Sequence, residues 1–219
     1  MDGASLQPLV ATLRVPVAVE LLGVEREFDA EIDRLTTLVS QSSVWIGHSL
    51  GGIATLHLAA RRPACCAALV VLASNARPDG AQGAQMRAQQ NAALERGGMA
   101  ALLHQQLAAV YGIRDDDPLL NELLAQAIRI GADRFRHQLR YAAKRPGLLR
   151  AASVLPMPVL ALSGSDDPLC SPACGEEVIA LSTSMLSRHQ VLPGGGHLLP
   201  LQAPGWCASH IRPFLAQLG

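Results

Sequence analysis

The chain has 219 residues, 49% of them hydrophobic and only 3% aromatic, and its 18 Lys and Arg balance 18 Asp and Glu. A chain of this length forms one domain that can bury a sizeable aliphatic core. The neutral balance and the scarcity of aromatics exclude a basic footprint for nucleic acid, a stacking platform for bases and an electrostatic anchor on anionic membranes. Five cysteines, two of them adjacent at Cys65 and Cys66, make no disulfide framework and fit a reducing compartment. Cys170-x3-Cys174 has no second pair nearby, so neither zinc nor another metal is expected. With no basic leader and no run long enough to span a bilayer, the expected location is cytoplasmic.

In chain order, Ser5 to Leu13 reads as a short helix and Val15 to Leu22 as an apolar strand ending at Gly23. Glu27 to Ser40 carries Phe28, Ile32, Leu35 and Leu38 at helical spacing with charges between them, the pattern of an amphipathic helix. Ser43 to His48 reads as a strand and leads directly into a buried helix, Ile53 to about Arg62, stopped by Pro63. Ala67 to Ala73 is a further short apolar strand. Strands that are apolar throughout and alternate with helices predict a parallel sheet covered on both faces.

From about Asn75 to Arg150 there is no strand pattern, only helical stretches split by Gly97-Gly98, Gly112, the Asp115-Asp116-Asp117-Pro118 start, Gly131 and Pro146-Gly147. Asp117 followed by Pro118 marks a helix start. Leu120, Leu124 and Ile128 form one expected apolar stripe, and Phe135, Leu139 and Ala142 another. His104 and His137 read as surface or packing residues. The α/β rhythm resumes with a strand and turn over Pro156 to Gly164, a helix near Glu176 to Leu181 and a strand from His189 to Leu192. The turn Pro193-Gly194-Gly195-Gly196-His197 precedes a terminal helix from about Pro204, with a kink expected at Pro213.

Gly47-His48-Ser49-Leu50-Gly51 is a G-x-S-x-G sequence between the strand and the helix. That context suits a serine projected from a strained turn, with the Leu50 N–H at the helix start where an oxyanion is favoured. A serine hydroxyl is a weak nucleophile and needs a base plus a group that orients the base. The chain offers Asp167 and His197, each just after an expected strand. In a parallel sheet all three would emerge at the same C-terminal edge, where ligands bind.

On these residues the chain resembles the α/β-hydrolase fold superfamily. Gly47-His48-Ser49-Leu50-Gly51-Gly52 matches its nucleophile motif, Gly164-Ser165-Asp166-Asp167-Pro168-Leu169 its acid turn, and Gly196-His197-Leu198-Leu199-Pro200-Leu201 its histidine loop. Met157-Pro158-Val159-Leu160-Ala161-Leu162 looks like the strand before the acid. The likeness runs from about Leu6 to the C-terminus and is closest to small bacterial esterase- and lactonase-like members. It implies an α/β fold with a mostly parallel sheet, the hydrolase core over 1-75 and 151-219, and a helical cap inserted over 76-150, with Leu103 and Leu107 as apolar cap positions. It also implies Ser49 as nucleophile, His197 as base and then acid, and Asp167 as orienting carboxylate, with Asp166 the alternative acid. The implied reaction is hydrolysis of a small carboxylic ester or lactone without cofactor. The alternatives are a catalytically impaired relative and the same site used for acyl transfer, C–C hydrolysis or perhydrolysis.

The resemblance departs at the N-terminus, which reads as shortened. Family members carry a third strand and a His-Gly loop that supplies a second oxyanion donor, and no His-Gly precedes Leu6 here. The expectation is therefore weak activity and a sheet of about five strands. Val15 to Leu22 would pair directly with Ser43 to His48 and present an edge open to solvent or, as a homodimer, to a second copy.

Overall fold

The structure, a computed structural model, describes residues 3–104, 111, 113–114, 117–149 and 154–218; Leu107, Gly112, Asp115, Asp116 and Arg150 lie outside the described residues. Strands β1 (Ser43–His48), β2 (Cys66–Leu72), β3 (Val159–Gly164) and β4 (Arg188–Leu192) form one parallel sheet in that order. The apolar runs of β2 and β3 are buried on both faces of the sheet, with side chains alternating at a period of two. Trp45, Leu69, Val71, Val159 and Ala161 face one layer, while Ala68, Val70, Leu72, Leu160 and Leu162 face the other.

Because the strands succeed one another in a single direction, right-handed crossovers put their connecting helices on the same face. There α3 (Leu50–Arg61) and α7 (Pro172–Ile179) join α2 (Phe28–Leu38), whose Phe28, Ile32 and Leu35 pack with Leu56 and Val178. The opposite face is covered by α1 (Gln7–Leu13) and, after the one-turn α8 (Leu199–Gln202), by α9 (Pro204–Ala216), through Leu9, Leu13, Ile211 and Phe214. Helix α9 continues past Pro213. Helix α7 begins at Pro172, earlier than the expected Glu176, because a proline at the first helical position starts a helix well.

Between β2 and β3 the described chain is helical: α4 (Ala81–Leu102), α5 (Leu119–Ile130) and α6 (Ala132–Lys144). Helix α4 is bent at Gly97 and Gly98, where Gly98 takes a positive φ of 66°. The Asp117 carboxylate accepts the Leu119 N–H at 2.9 Å, so it caps α5 as expected. The buried stripe of α5 is Leu120, Leu123 and Ala127, whereas the expected Ile128 is exposed. These residues cluster with Phe135, Leu139 and Leu198, which follows His197.

Val15 to Leu22 corrects the sequence reading. It is not a strand and makes no backbone hydrogen bond to β1, so the sheet has four described strands and β1 is its edge. The carbonyls of this segment and its turn are taken elsewhere. Leu21 O accepts from Arg34 Nη2 at 3.3 Å, Leu22 O from Gln138 Nε2 at 3.0 Å, and Gly23 O bonds His137 Nδ1 at 3.1 Å. Buried Glu31 locks the turn through the Glu25 N–H at 2.8 Å, Arg34 at 2.9 Å and the Tyr141 hydroxyl. A cavity of about 1060 Å³ fills the space between this segment and β1, and Val15 and Val17 on its rim are 42% and 39% exposed. The β1 edge therefore meets a cavity that reaches the surface, and water can hydrate its backbone groups. These groups therefore escape the cost of dry burial without a paired strand.

Candidate active site

Ser49 lies between β1 and α3 with φ 53° and ψ −120°, a conformation an L-residue adopts only when its surroundings enforce it. Three features do so here. The Ser49 N–H donates to Leu72 O at 2.9 Å, and its carbonyl accepts from Ile53 N at 3.1 Å and from Ser74 Oγ at 2.8 Å. A Cβ on Gly47 would lie 2.5 Å from Gly51 O, and one on Gly52 would lie 2.5 Å from Ser74 Oγ. A Cβ on Gly51 would meet nothing within 4 Å. The close approach thus depends on Gly47 and Gly52, not on the second glycine of the five-residue motif.

Asp167 and His197 reach the same point from the ends of β3 and β4. His197 Nε2 lies 2.8 Å from Ser49 Oγ, and its Nδ1 lies 3.0 and 2.9 Å from the two oxygens of Asp167. The imidazole is fully buried. The carboxylate also accepts the N–H groups of Leu169 at 2.8 Å and Cys170 at 3.0 Å. Burial alone would raise the Asp167 pKa, but hydrogen bonding and charge at His197, with those two N–H donors, hold it below the usual value. Asp166 points away; its carboxylate accepts from Ser165 Oγ at 2.7 Å in an exposed turn. Of the sequence candidates, Ser49, Asp167 and His197 come together, and Leu50 opens α3 beside them with its N–H in the first helical turn, where no intrahelical acceptor exists. His137 is a packing residue as expected, and His104 is exposed.

Two further residues belong to the site and carry no sequence signal of their own. His48, a variable position of the motif, holds His197 O at 2.8 Å through Nε2, which must donate because a carbonyl only accepts. Burial first, and the neighbouring His197 second, push its pKa down to about 3, so it stays neutral. Tyr111 stacks on His197 with ring centroids 5.6 Å apart and planes 5° from parallel. Asp167, Cys170 and His197 bring possible metal-binding atoms within 4.8 Å of one another. They do not fit a metal: both His197 nitrogens are engaged, and the Cys170 thiol is pushed well up by its contact with Cys174 and by burial.

A hydroxyl, an imidazole and a carboxylate in this order allow the hydroxyl proton to pass to the imidazole as the oxygen attacks an electrophile. The family model described as the alpha/beta hydrolase family matches residues 4–210. No curated protein sequence matches the chain. Among solved structures, a thermophilic esterase from Thermogutta terrifontis with malate bound has a TM-score of 0.80 at 19% identity, over 99% of this chain and 86% of its own. The enol-lactonase from Burkholderia xenovorans LB400 has a TM-score of 0.76 at 18% identity, over 98% and 87%. The meta-cleavage product hydrolase from Pseudomonas fluorescens IP01 has 0.74 at 13%, over 99% and 86%. A parallel sheet with helices on both faces, a strained serine at its C-terminal edge and a family match over nearly the whole chain lead to one conclusion: this chain belongs to the alpha/beta hydrolase family.

Proposed function

We propose that the protein is a serine hydrolase that cleaves a small carboxylic ester or lactone through an acyl-enzyme on Ser49, in a cytoplasmic setting. The observation that carries this reading is the unbroken chain from Ser49 Oγ to His197 Nε2 at 2.8 Å and from His197 Nδ1 to Asp167 at 2.9 Å. In it, His197 takes the Ser49 proton as Oγ attacks the carbonyl, then protonates the leaving alkoxide, and finally activates water to hydrolyse the acyl-enzyme. Asp167 keeps the ring in the tautomer with Nδ1 protonated and stabilises the imidazolium. The Leu50 N–H, at the positive end of α3, receives the developing oxyanion. The relatives described as an esterase and an enol-lactonase support the substrate class.

The helices over 76-150 act in this reading as a cap that shapes the substrate space. Labelling with a fluorophosphonate probe tests the core of the proposal. An adduct on Ser49 that is absent from Ser49→Ala and His197→Ala supports it. Absence of labelling in folded protein, together with no hydrolysis of short p-nitrophenyl esters, would sink it.

A further inference from the structure

The cavity that holds Ser49 and His197 also holds a cluster of buried charge. Asp79, Arg87 and Arg145 all line it, with Gln90 and Tyr111. Arg145 and Asp79 are only 7% and 9% exposed in their side chains, and Arg87 is 21% exposed. Two guanidinium groups face one carboxylate, so this wall carries an excess positive charge. The other acidic residue lining the cavity, Glu20, is 57% exposed and pairs with Arg34.

The single carboxylate does not satisfy either cation. Asp79 lies 3.6 Å from Arg145 Nη1 and 3.7 Å from Arg87 Nε, beyond hydrogen-bond reach in both directions. Asp79 Oδ2 and Arg87 Nε are buried atoms without a hydrogen-bond partner among the described residues. Arg145 is fixed in place by the carbonyls of Arg77, at 3.0 Å, and of Ala142. Arg87 spends Nη1 on Gln90 Oε1 at 3.0 Å. Its Nε is enclosed against Asp79, and Nη2 makes no hydrogen bond among the described residues, which leaves that donor for an anion in the cavity. The cluster is also built tightly, since a side chain at Gly83 would collide with the Asp79 carboxylate.

Arg87 lines the same cavity as Ser49, His197 and Tyr111, the ring that stacks on His197. A partly buried cation without a full partner is costly unless an anion completes it. We infer that Arg87, backed by Arg145, binds a carboxylate of the substrate. The preferred substrates are then half-esters of dicarboxylic acids, or lactones bearing a free carboxylate, rather than neutral esters. This rests on the reading of Ser49 as nucleophile for the reaction, though not for the binding.

Hydrolysis followed by proton release in a pH-stat compares monomethyl succinate, glutarate and adipate with methyl butyrate, valerate and hexanoate. At the best-fitting length, the acid ester should exceed its neutral partner by at least about tenfold in kcat/KM, the discrimination expected of a charge-assisted hydrogen bond. Arg87→Met and Arg87→Gln should collapse that ratio toward one, with Arg87→Lys between; loss of a purely structural residue would lower both esters together and leave the ratio. Calorimetry on Ser49→Ala protein with monomethyl adipate reads binding alone. If that protein binds the half-ester and Ser49→Ala/Arg87→Met does not, while no ester is hydrolysed by the parent, the carboxylate site stands and the hydrolase reading falls. If neutral esters are cleaved as well as acid ones, or the Arg87 variants keep the ratio, the carboxylate site is wrong while the hydrolase reading survives.

Discussion

The strain at Ser49 and the hydrogen bonds at His197 define what single substitutions should do. Ser49→Ala and His197→Ala should each remove esterase activity about as completely as the double change, because residues that act as one unit are strongly non-additive. Asp167→Asn should lower kcat by roughly 10³–10⁴-fold through loss of the correct imidazole tautomer, with Asp166→Asn near parent. A greater loss from Asp166→Asn would reassign the acid. His48 and His57 make a second, independent case. Burial is the main cause that lowers them from the ordinary 6.5 to about 3 and about 4. The unfolded chain therefore takes up protons near pH 6.5 that the folded chain refuses until well below, so stability falls as pH drops through that window. Each histidine contributes a slope of up to about 1.4 kcal/mol per pH unit. Asp167, lowered in the folded state, loses its stabilising contribution as pH falls from the unfolded carboxylate range through its folded value. Urea midpoints measured from pH 7 to pH 4.5 should decline steadily, and less so in His48→Gln; a flat profile would show these rings titrating normally.

At the scale of elements, the ends of β1 to β4 and the loops after them were legible in sequence, from short β-rich runs alternating with helical patterns, although such a run does not by itself make a strand. Their position after strands put Asp167 and His197 at the C-terminal edge of the sheet, while the choice of Asp167 over Asp166 came from the resemblance. Val15 to Leu22 failed for a reason the same reasoning cannot reach. Its composition is that of a strand, but a strand needs a partner, and here its turn is claimed by Glu31, Arg34, His137 and Gln138 on α2 and α6. Tertiary competition of this kind leaves no local pattern. The consequence at β1 is specific. In a parallel pair, alternate residues direct both backbone groups to the same neighbour, and the Ser49 N–H bonds Leu72 O. Trp45, Gly47 and Ser49 thus face β2, while Val44, Ile46 and His48 turn theirs to the cavity. Native-state hydrogen exchange should find the Val44 and Ile46 amides at least about tenfold less protected than those of Trp45 and Gly47. Equal protection of the two sets would mean that the edge is paired in solution.

At the scale of the whole molecule, the helices between β2 and β3 touch the site in two different ways, and the difference can be measured. Leu103, an apolar cap position read from sequence, is 1% exposed and packs among the helices themselves with Leu120, Leu123 and Leu198. Met86 and Leu139 instead line the cavity that contains Ser49. Leu103→Ala should therefore act as an ordinary cavity-forming change, costing about 2–5 kcal/mol of stability and reducing activity on all esters in parallel. Met86→Ala enlarges the wall of the substrate space at less structural cost, because methionine packs loosely and adapts. It should shift the optimum toward longer acyl chains, by about one to three methylenes, with each methylene worth roughly 10-fold or more in discrimination. The check is kcat/KM for p-nitrophenyl acetate through octanoate in both variants beside the parent. A profile that moves in Met86→Ala and only scales in Leu103→Ala would assign the cap its part in substrate choice. Parallel scaling in both would leave the helices as packing on the sheet, with selectivity set by the walls around Ser49 that the sheet itself supplies.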